Sequence, residues 1–214
     1  MAISALVAVG PVADELVAKI RQRMDGLTVG DGTRGTDMGP LVTEAHRDKV
    51  AAYLESGPAQ GATLVVDGRE HERFGGDGYF LGVSLLDNVT TEMDAYRDEI
   101  FGPVLSIVRA KTYDEAVQMV NENPYGNGVA IFTRDGGAAR QFQFEAQAGM
   151  VGINVPIPVP VAYYSFGGWK SSLFGDSHIY GPEGITFYTR GKVVTSRWPD
   201  PATSQVDLGF PQTR

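Results

Sequence analysis

Short apolar runs that alternate with stretches of helical periodicity constrain this chain more than any other feature. "ATLVVDG", "YFLGVSLLD", "GPVLSIVRA", "GVAIFT" and "MVGINV" are of strand length and bounded by glycine, proline or aspartate. The opening "MAISALVAVG" is one more such run, with Ile3, Leu6, Val7 and Val9 as a core strand that begins without a lead-in. Between the runs, apolar residues recur at helix spacing. Val12, Leu16, Val17, Ile20 and Met24 make one stripe behind Pro11, a residue that a first helical turn tolerates. A second helix is expected over 43–55, closed by Gly57 and Pro58. A third starts at Tyr113 with Ala116, Val117 and Val120 inward, and a fourth runs over 138–146 behind Asp135 as its cap. Continuous apolar strands joined by helices specify an α/β fold with a mainly parallel sheet.

Composition narrows the function. A chain of 214 residues can bury roughly 70% of its unfolded surface, enough for its own core. No apolar run approaches the roughly 18 residues of a membrane span. The net charge of −8, from 26 acidic and 18 basic residues, argues against nucleic acid, which needs a basic face. Met1 and Ala2 lead into no basic segment with a cleavage site, so a cytoplasmic location is expected and Asn88-Val89-Thr90 reads as an unused glycosylation sequon. There is no cysteine, so no disulfide, zinc–thiolate site or cysteine nucleophile lies within these residues.

The common catalytic signatures fail one by one. In "GGWKSS", Trp169 separates glycine from Lys170 and breaks the phosphate-loop pattern, so Lys170 reads as an exposed lysine without a chemical role. Gly126-Asn127-Gly128 has Ile131 where a dinucleotide fingerprint needs its third glycine, and it precedes a strand instead of following one. His46, His71 and His178 have no metal-ligand spacing and read as surface or packing residues, so no metal site is expected. From Pro156 onward, "PIPVPVAYYSFGGWKSSLFGDSHIYGPEG" is rich in proline, glycine and aromatics, as a ligand-facing loop would be. The tail "ITFYTRGKVVTSRW" alternates like a strand set apart from the sheet.

"DEIFGPVLSIV", residues 98–108, remains, and it has two readings. In one, Gly102-Pro103 is a turn into a strand, Phe101 packs and Glu99 is solvated. In the other, a carboxylate accepts hydrogen bonds from vicinal hydroxyls beside an aromatic wall, as a ribose site requires.

E-x-F-G-P-V resembles the signature of the NAD(P)-dependent aldehyde dehydrogenase superfamily. "DMGPLVTEAHRDKV", "GYF" followed by "DNVTTEMDAYRDEIFGPV", "NENPYGNGVAIFTRD" and "SFGGWKSSLFGD" resemble further blocks of that family, so the likeness covers most of the chain. "NVPIPVPVAYYSF", Ser165 in place of the usual proline, and "GDSHIYGPEGITFYTR" look like the CoA-acylating methylmalonate-semialdehyde dehydrogenase branch. "GVSLLD" departs from the pattern by lacking a proline and threonine after "GYF".

The resemblance implies a three-layer α/β/α catalytic domain with a C-terminal oligomerisation strand. It implies a division into a catalytic portion, 1–168, an active-site loop and return connection, 169–190, and an oligomerisation arm with polar tail, 191–214. NAD is the implied cofactor and coenzyme A the implied acyl acceptor, with a small aldehyde as substrate. Glu99 would bind the nicotinamide ribose, Phe101 would hold the nicotinamide ring, and Asn154 and Phe166 would line the substrate pocket. In this branch the nucleophilic cysteine would sit just before Met1, so the chain looks like a C-terminal portion without a catalytic residue of its own and is expected to be inactive alone. The tail would join a neighbouring subunit's sheet and make a homo-oligomer. A stand-alone, non-catalytic oligomerisation or ligand-binding remnant is the alternative.

Overall fold

A computed structural model of the protein describes residues 2–198 together with Asp200, Ala202 and Gly209. Its elements in chain order are β1 (Ala5–Val9), α1 (Ala13–Met24), α2 (Glu44–Ala59), β2 (Thr63–Val66), β3 (Ser84–Val89), α3 (Asp94–Arg97) and β4 (Val104–Ala110). They continue with α4 (Tyr113–Glu122), β5 (Tyr125–Gly126), β6 (Gly128–Ile131), α5 (Gly136–Glu145), β7 (Met150–Ile153), β8 (Trp169–Lys170) and α6 (Pro182–Tyr188).

The main sheet has the order β1-β4-β3-β2, with β4 parallel to both β1 and β3, and β2 antiparallel at the far edge. Side chains alternate across a strand, and here successive residues feed two different cores. Leu85 and Ile107 face a cluster with Ala8, Ala13 and the α1 stripe. Leu86 and Val108 face the other side, against Val50, Tyr53 and Leu54 of α2. Helix, sheet and helix thus form the three expected layers. Downstream, β6 and β7 pair in parallel and pack beneath α4 and α5 through Val117, Phe142, Val129, Ile131 and Val151, while β5 and β8 form a separate antiparallel pair.

Inside the main sheet, Asp87 of β3 is buried at 4% exposure. It accepts a two-pronged contact from Arg109 of β4, at 3.0 Å from Nε and 2.7 Å from Nη2, while Nη1 reaches Asp14 of α1 at 2.7 Å. Asp135 caps α5 as its position in the sequence indicated, accepting from the Gly137 and Ala138 amides.

Several expectations need correction. In β1 only Ala8 is buried, and Ile3 lies half exposed outside the strand, because β1 is the edge of the sheet with a single neighbour. Val12 ends a short 3-10 turn and is exposed, so Ala13 takes its core position. The second helix does not stop at Glu55 but runs through Pro58 to Ala59. Gly57 there is a packing residue: a side chain on it would meet Leu86 at 3.2 Å. Pro58 falls in the last turn, where the amides of Gln60 and Gly61 still find the carbonyls of Ser56 and Pro58. The stretch read as the start of a tail strand is helical over Pro182–Tyr188, started by proline in its first turn. Residues 191–198 form no strand within the chain.

Candidate functional site

The segment that enters β4 alternates sharply in burial. Ile100 is anchored in the α2 core at 6% exposure, while Glu99 and Phe101 on either side of it face out. Phe101 has φ of +60° and a ring 75% exposed. A bulky residue in the left-handed region is strained, and its neighbours must hold it there. Among the described residues the Glu99 carboxylate has no hydrogen-bond or ion-pair partner, so its oxygens stay open to a ligand.

Contacts with α2 hold the segment. His46 Nε2–H donates to the Phe101 carbonyl at 2.8 Å, which fixes the tautomer because a carbonyl can only accept. Tyr53 Oη donates to Asp98 Oδ2 at 2.8 Å. Burial, then the hydrogen bond to Asp98, pushes the Tyr53 phenol up to about 12. At Gly102 a side chain would stand 2.6 Å from Val50 Cγ1, so the turn lies directly against the helix. The amide of Ser84 donates to the Pro103 carbonyl at 2.8 Å and ties the same turn to β3.

Asn154 and Phe166 lie in the downstream part of the chain, Asn154 directly after β7 and Phe166 shortly before β8. Asn154 follows β7 with φ of +56°, and both ends of its amide are engaged: Oδ1 accepts from the Thr133 amide at 2.9 Å, and Nδ2 donates to the Thr133 carbonyl at 3.0 Å. Its side chain therefore clamps the end of β7 to the residues that follow β6. Phe166 is half-buried, edge-on to Tyr180 with ring centroids 5.4 Å apart. Ser165 contacts both His178 Nδ1 and Glu183, whose other oxygen accepts the His178 amide at 2.7 Å, so the loop before β8 is tied to the first turn of α6.

Lys170 is not the free surface lysine expected. Its ammonium donates to the carbonyls of Val120, Asn121 and Asn123 at 3.3, 2.9 and 2.9 Å, covering the C-terminal end of α4. Those carbonyls lack helical partners and carry the negative end of the helix dipole. Burial holds the lysine below its ordinary pKa. His46 and Tyr53 were likewise missed as contact residues, although His46, Val50 and Tyr53 recur at helix spacing.

No hydrogen bond or ring contact links the Glu99–Phe101 turn to Asn154 or Phe166 among the described residues. An open cleft of about 480 Å³ is lined by Arg97 and Asp98, next to the turn, and by Glu122, Asn123 and Tyr125 around the end of α4. An unengaged carboxylate beside an exposed aromatic ring suits a vicinal diol joined to a planar ring. The absence of cysteine leaves the site without a thiolate.

Comparison with known proteins gives the family. The chain matches the Aldehyde dehydrogenase family over residues 1–194. It is 57% identical over 99% of its length to a malonate-semialdehyde dehydrogenase of Pseudomonas aeruginosa, covering 43% of that protein. It is 48% identical over 92% of its length to malonate-semialdehyde dehydrogenase 2 of Geobacillus kaustophilus, covering 41%. Its structure superposes with a TM-score of 0.87 on a methylmalonate-semialdehyde dehydrogenase from Oceanimonas doudoroffii, at 53% identity, over 94% of this chain and 42% of that one. A second match, with a TM-score of 0.86 and 51% identity over 93% of this chain and 41% of the other, is a methylmalonate-semialdehyde dehydrogenase assignment from Sinorhizobium meliloti complexed with NAD. The chain spans about two fifths of the length of the curated relatives it matches.

Proposed function

The chain belongs to the aldehyde dehydrogenase family, and from that premise we propose that it is the C-terminal catalytic and oligomerisation portion of a CoA-acylating malonate- or methylmalonate-semialdehyde dehydrogenase. In this reading a cysteine thiolate outside these residues attacks a small aldehyde to give a thiohemiacetal, loss of a hydride from that carbon gives the thioester, and the thiol of coenzyme A takes the acyl group and releases the cysteine. Splitting the reaction at a covalent intermediate replaces one hard step by two easier ones. With no cysteine in its sequence, the chain alone turns nothing over.

The observation that carries the cofactor assignment is the turn before β4. Its exposed carboxylate has no hydrogen-bond or ion-pair partner among the described residues, and its aromatic ring is held out by a left-handed backbone. Bound NAD would supply the acceptor for the hydride that leaves the aldehyde carbon. Glu99 would accept hydrogen bonds from the ribose hydroxyls, each charge-assisted contact worth about 1.5–3 kcal/mol. Phe101 would press its face on the nicotinamide ring, and its buried neighbour Ile100 keeps that ring from turning inward. Phe166 and Asn154 would close the aldehyde side, Phe166 by its ring and Asn154 through the backbone it clamps.

The tail supports the assembly part of the proposal. Val193 and Trp198 are 95% and 93% exposed, and 191–198 pairs with no strand among the described residues. Such a segment fits strand addition to a second copy. It also favours the second reading, a free-standing association module without turnover.

The test is aldehyde-dependent NADH formation. The purified chain is expected to give none, and activity should appear when it is joined to the cysteine-bearing portion. Glu99→Gln in the joined enzyme should weaken NAD binding about ten-fold or more. Turnover by the isolated chain, or a joined enzyme without activity, refutes the proposal, and the second result favours the association module.

A further inference from the structure

We propose that one stripe of α2, formed by His46, Val50 and Tyr53, is a positioning element that holds the Asp98–Gly102 turn in its strained, ligand-ready shape. The inference rests on the cofactor reading of Glu99 and Phe101, but the clamp can be measured apart from it.

Residues 46, 50 and 53 lie at i, i+4 and i+7, so they share one face of the helix. That face meets the turn at successive points along its length. Tyr53 takes the first residue through its hydroxyl, 2.8 Å from Asp98 Oδ2. Ile100 is buried in the same cluster as Val50 and Tyr53. His46 takes the Phe101 carbonyl at 2.8 Å. Val50 lies where only a glycine fits, 2.6 Å from the position a side chain on residue 102 would occupy. Two hydrogen bonds and two packing contacts thus bracket Glu99, which itself makes no hydrogen bond or ion pair to the helix. A left-handed phenylalanine would relax if its carbonyl were released, because nothing intrinsic favours φ of +60° for that side chain. Relaxation would swing the carbonyl and with it the ring two bonds away. The exposed side chains contact the ligand, and the helix stripe determines where they point.

His46 and Tyr53 act through other residues, so the test must separate positioning from general stability. Hydrogen exchange across residues 97–105 is measured in the 214-residue chain for the parent, His46→Ala, His46→Gln and Tyr53→Phe, alongside thermal unfolding. The alanine and phenylalanine variants are expected to exchange about ten-fold faster in this segment while α1 and α5 keep parent protection. Glutamine at position 46 can donate to the same carbonyl and should lie near the parent. Unchanged exchange in His46→Ala and Tyr53→Phe overturns the proposal. Glutamine behaving like alanine also overturns it, since the loss would then be one of packing. The same variants, in the chain joined to the cysteine-bearing portion, are titrated with NAD by calorimetry. A Kd raised about five- to ten-fold with kcat at saturating NAD within two-fold of the parent is the expected signature of positioning. An unchanged Kd beside a weakened Glu99→Gln control overturns it. If Glu99→Gln itself binds NAD like the parent, the cofactor reading fails, and the exchange result still decides the clamp.

Discussion

Replacing Lys170 with methionine keeps the aliphatic stem and removes the charge and all three donors. Two of its contacts, at 2.9 Å to Asn121 and Asn123, have good length, while the third, at 3.3 Å to Val120, is long. Hydrogen bonds from a charged group contribute about 1.5–3 kcal/mol each. That range must be discounted here, because burial disfavours the ammonium and water can reach the released carbonyls at the helix end. A cation near a helix C-terminus contributes about 0.3–1 kcal/mol by itself. Together these place the loss at about 2 kcal/mol, which for a chain of this size lowers Tm by about 4–8 °C. Urea unfolding gives the free energy. Fluorescence gives the location, since the chain has two tryptophans and Trp198 is already 93% exposed, so a red shift in the folded state reports on Trp169 beside the lysine. Lys170→Arg should recover part of the loss. A methionine variant within about 0.5 kcal/mol of the parent, with unshifted emission, would refute the claim that this lysine ties the Phe166 loop to α4.

Gly102→Ala drives a methyl group into Val50 and is expected to cost about 1–3 kcal/mol; in urea unfolding, the double variant with Val50→Ala should be less destabilised than the sum of the two singles. Burial alone would raise the Asp87 carboxyl, but the Arg109 fork and the Asn88 amide outweigh it and hold it below the usual carboxylate range. Its contribution is therefore present above about pH 4 and lost as pH falls through the folded value; in acid titrations Arg109→Met should turn that slope toward the opposite sign, because burial then dominates, at a cost on the order of 3 kcal/mol at neutral pH. The Tyr53 phenol, raised from 10.0 to about 12, behaves oppositely: its stabilisation is intact below about pH 10 and disappears as pH rises through about 12. Stability followed across that alkaline range should lose this slope in Tyr53→Phe.

What the sequence made legible follows from which interactions are local. Strand runs such as "GPVLSIVRA" are apolar because both faces of β4 are covered, and a one-dimensional pattern records that directly. Caps such as Asp135 are legible because their acceptor and donors lie within three residues. Gly57 and Pro58 misled because a glycine chosen for close packing against Leu86 looks the same in sequence as one that ends a helix. The alternation at Ile185–Tyr188 misled because those residues are exposed in the chain, so their apolar character reflects no burial within it. Family resemblance singled out Glu99 and Phe101, and the structure adds that both are exposed and that Phe101 has a left-handed backbone. The residues that hold the site were not: His46 bonds a carbonyl 55 positions away and Tyr53 a carboxylate 45 away, and neither spacing leaves a mark in the sequence. The stripe itself could have been seen as three residues on one helical face, but not what it grips.

The three parallel strands of the main sheet run the same way, with Ser84 beside Val104 and Ala5 beside Ser106. The Glu99–Phe101 turn precedes β4 and so lies at their amino ends. Open α/β sheets hold nucleotides at the opposite end, where the strands finish and helix N-termini meet the phosphates. At that edge the sheet presents an exposed carboxylate and an exposed aromatic ring. On the proposed cofactor reading it is one jaw of a vice, meeting the half of a dinucleotide where chemistry occurs and leaving the adenylate half to the opposing jaw. On that reading, substitutions at Glu99 should weaken nicotinamide mononucleotide as strongly as whole NAD, and leave ADP, which lacks the nicotinamide ribose, much less affected.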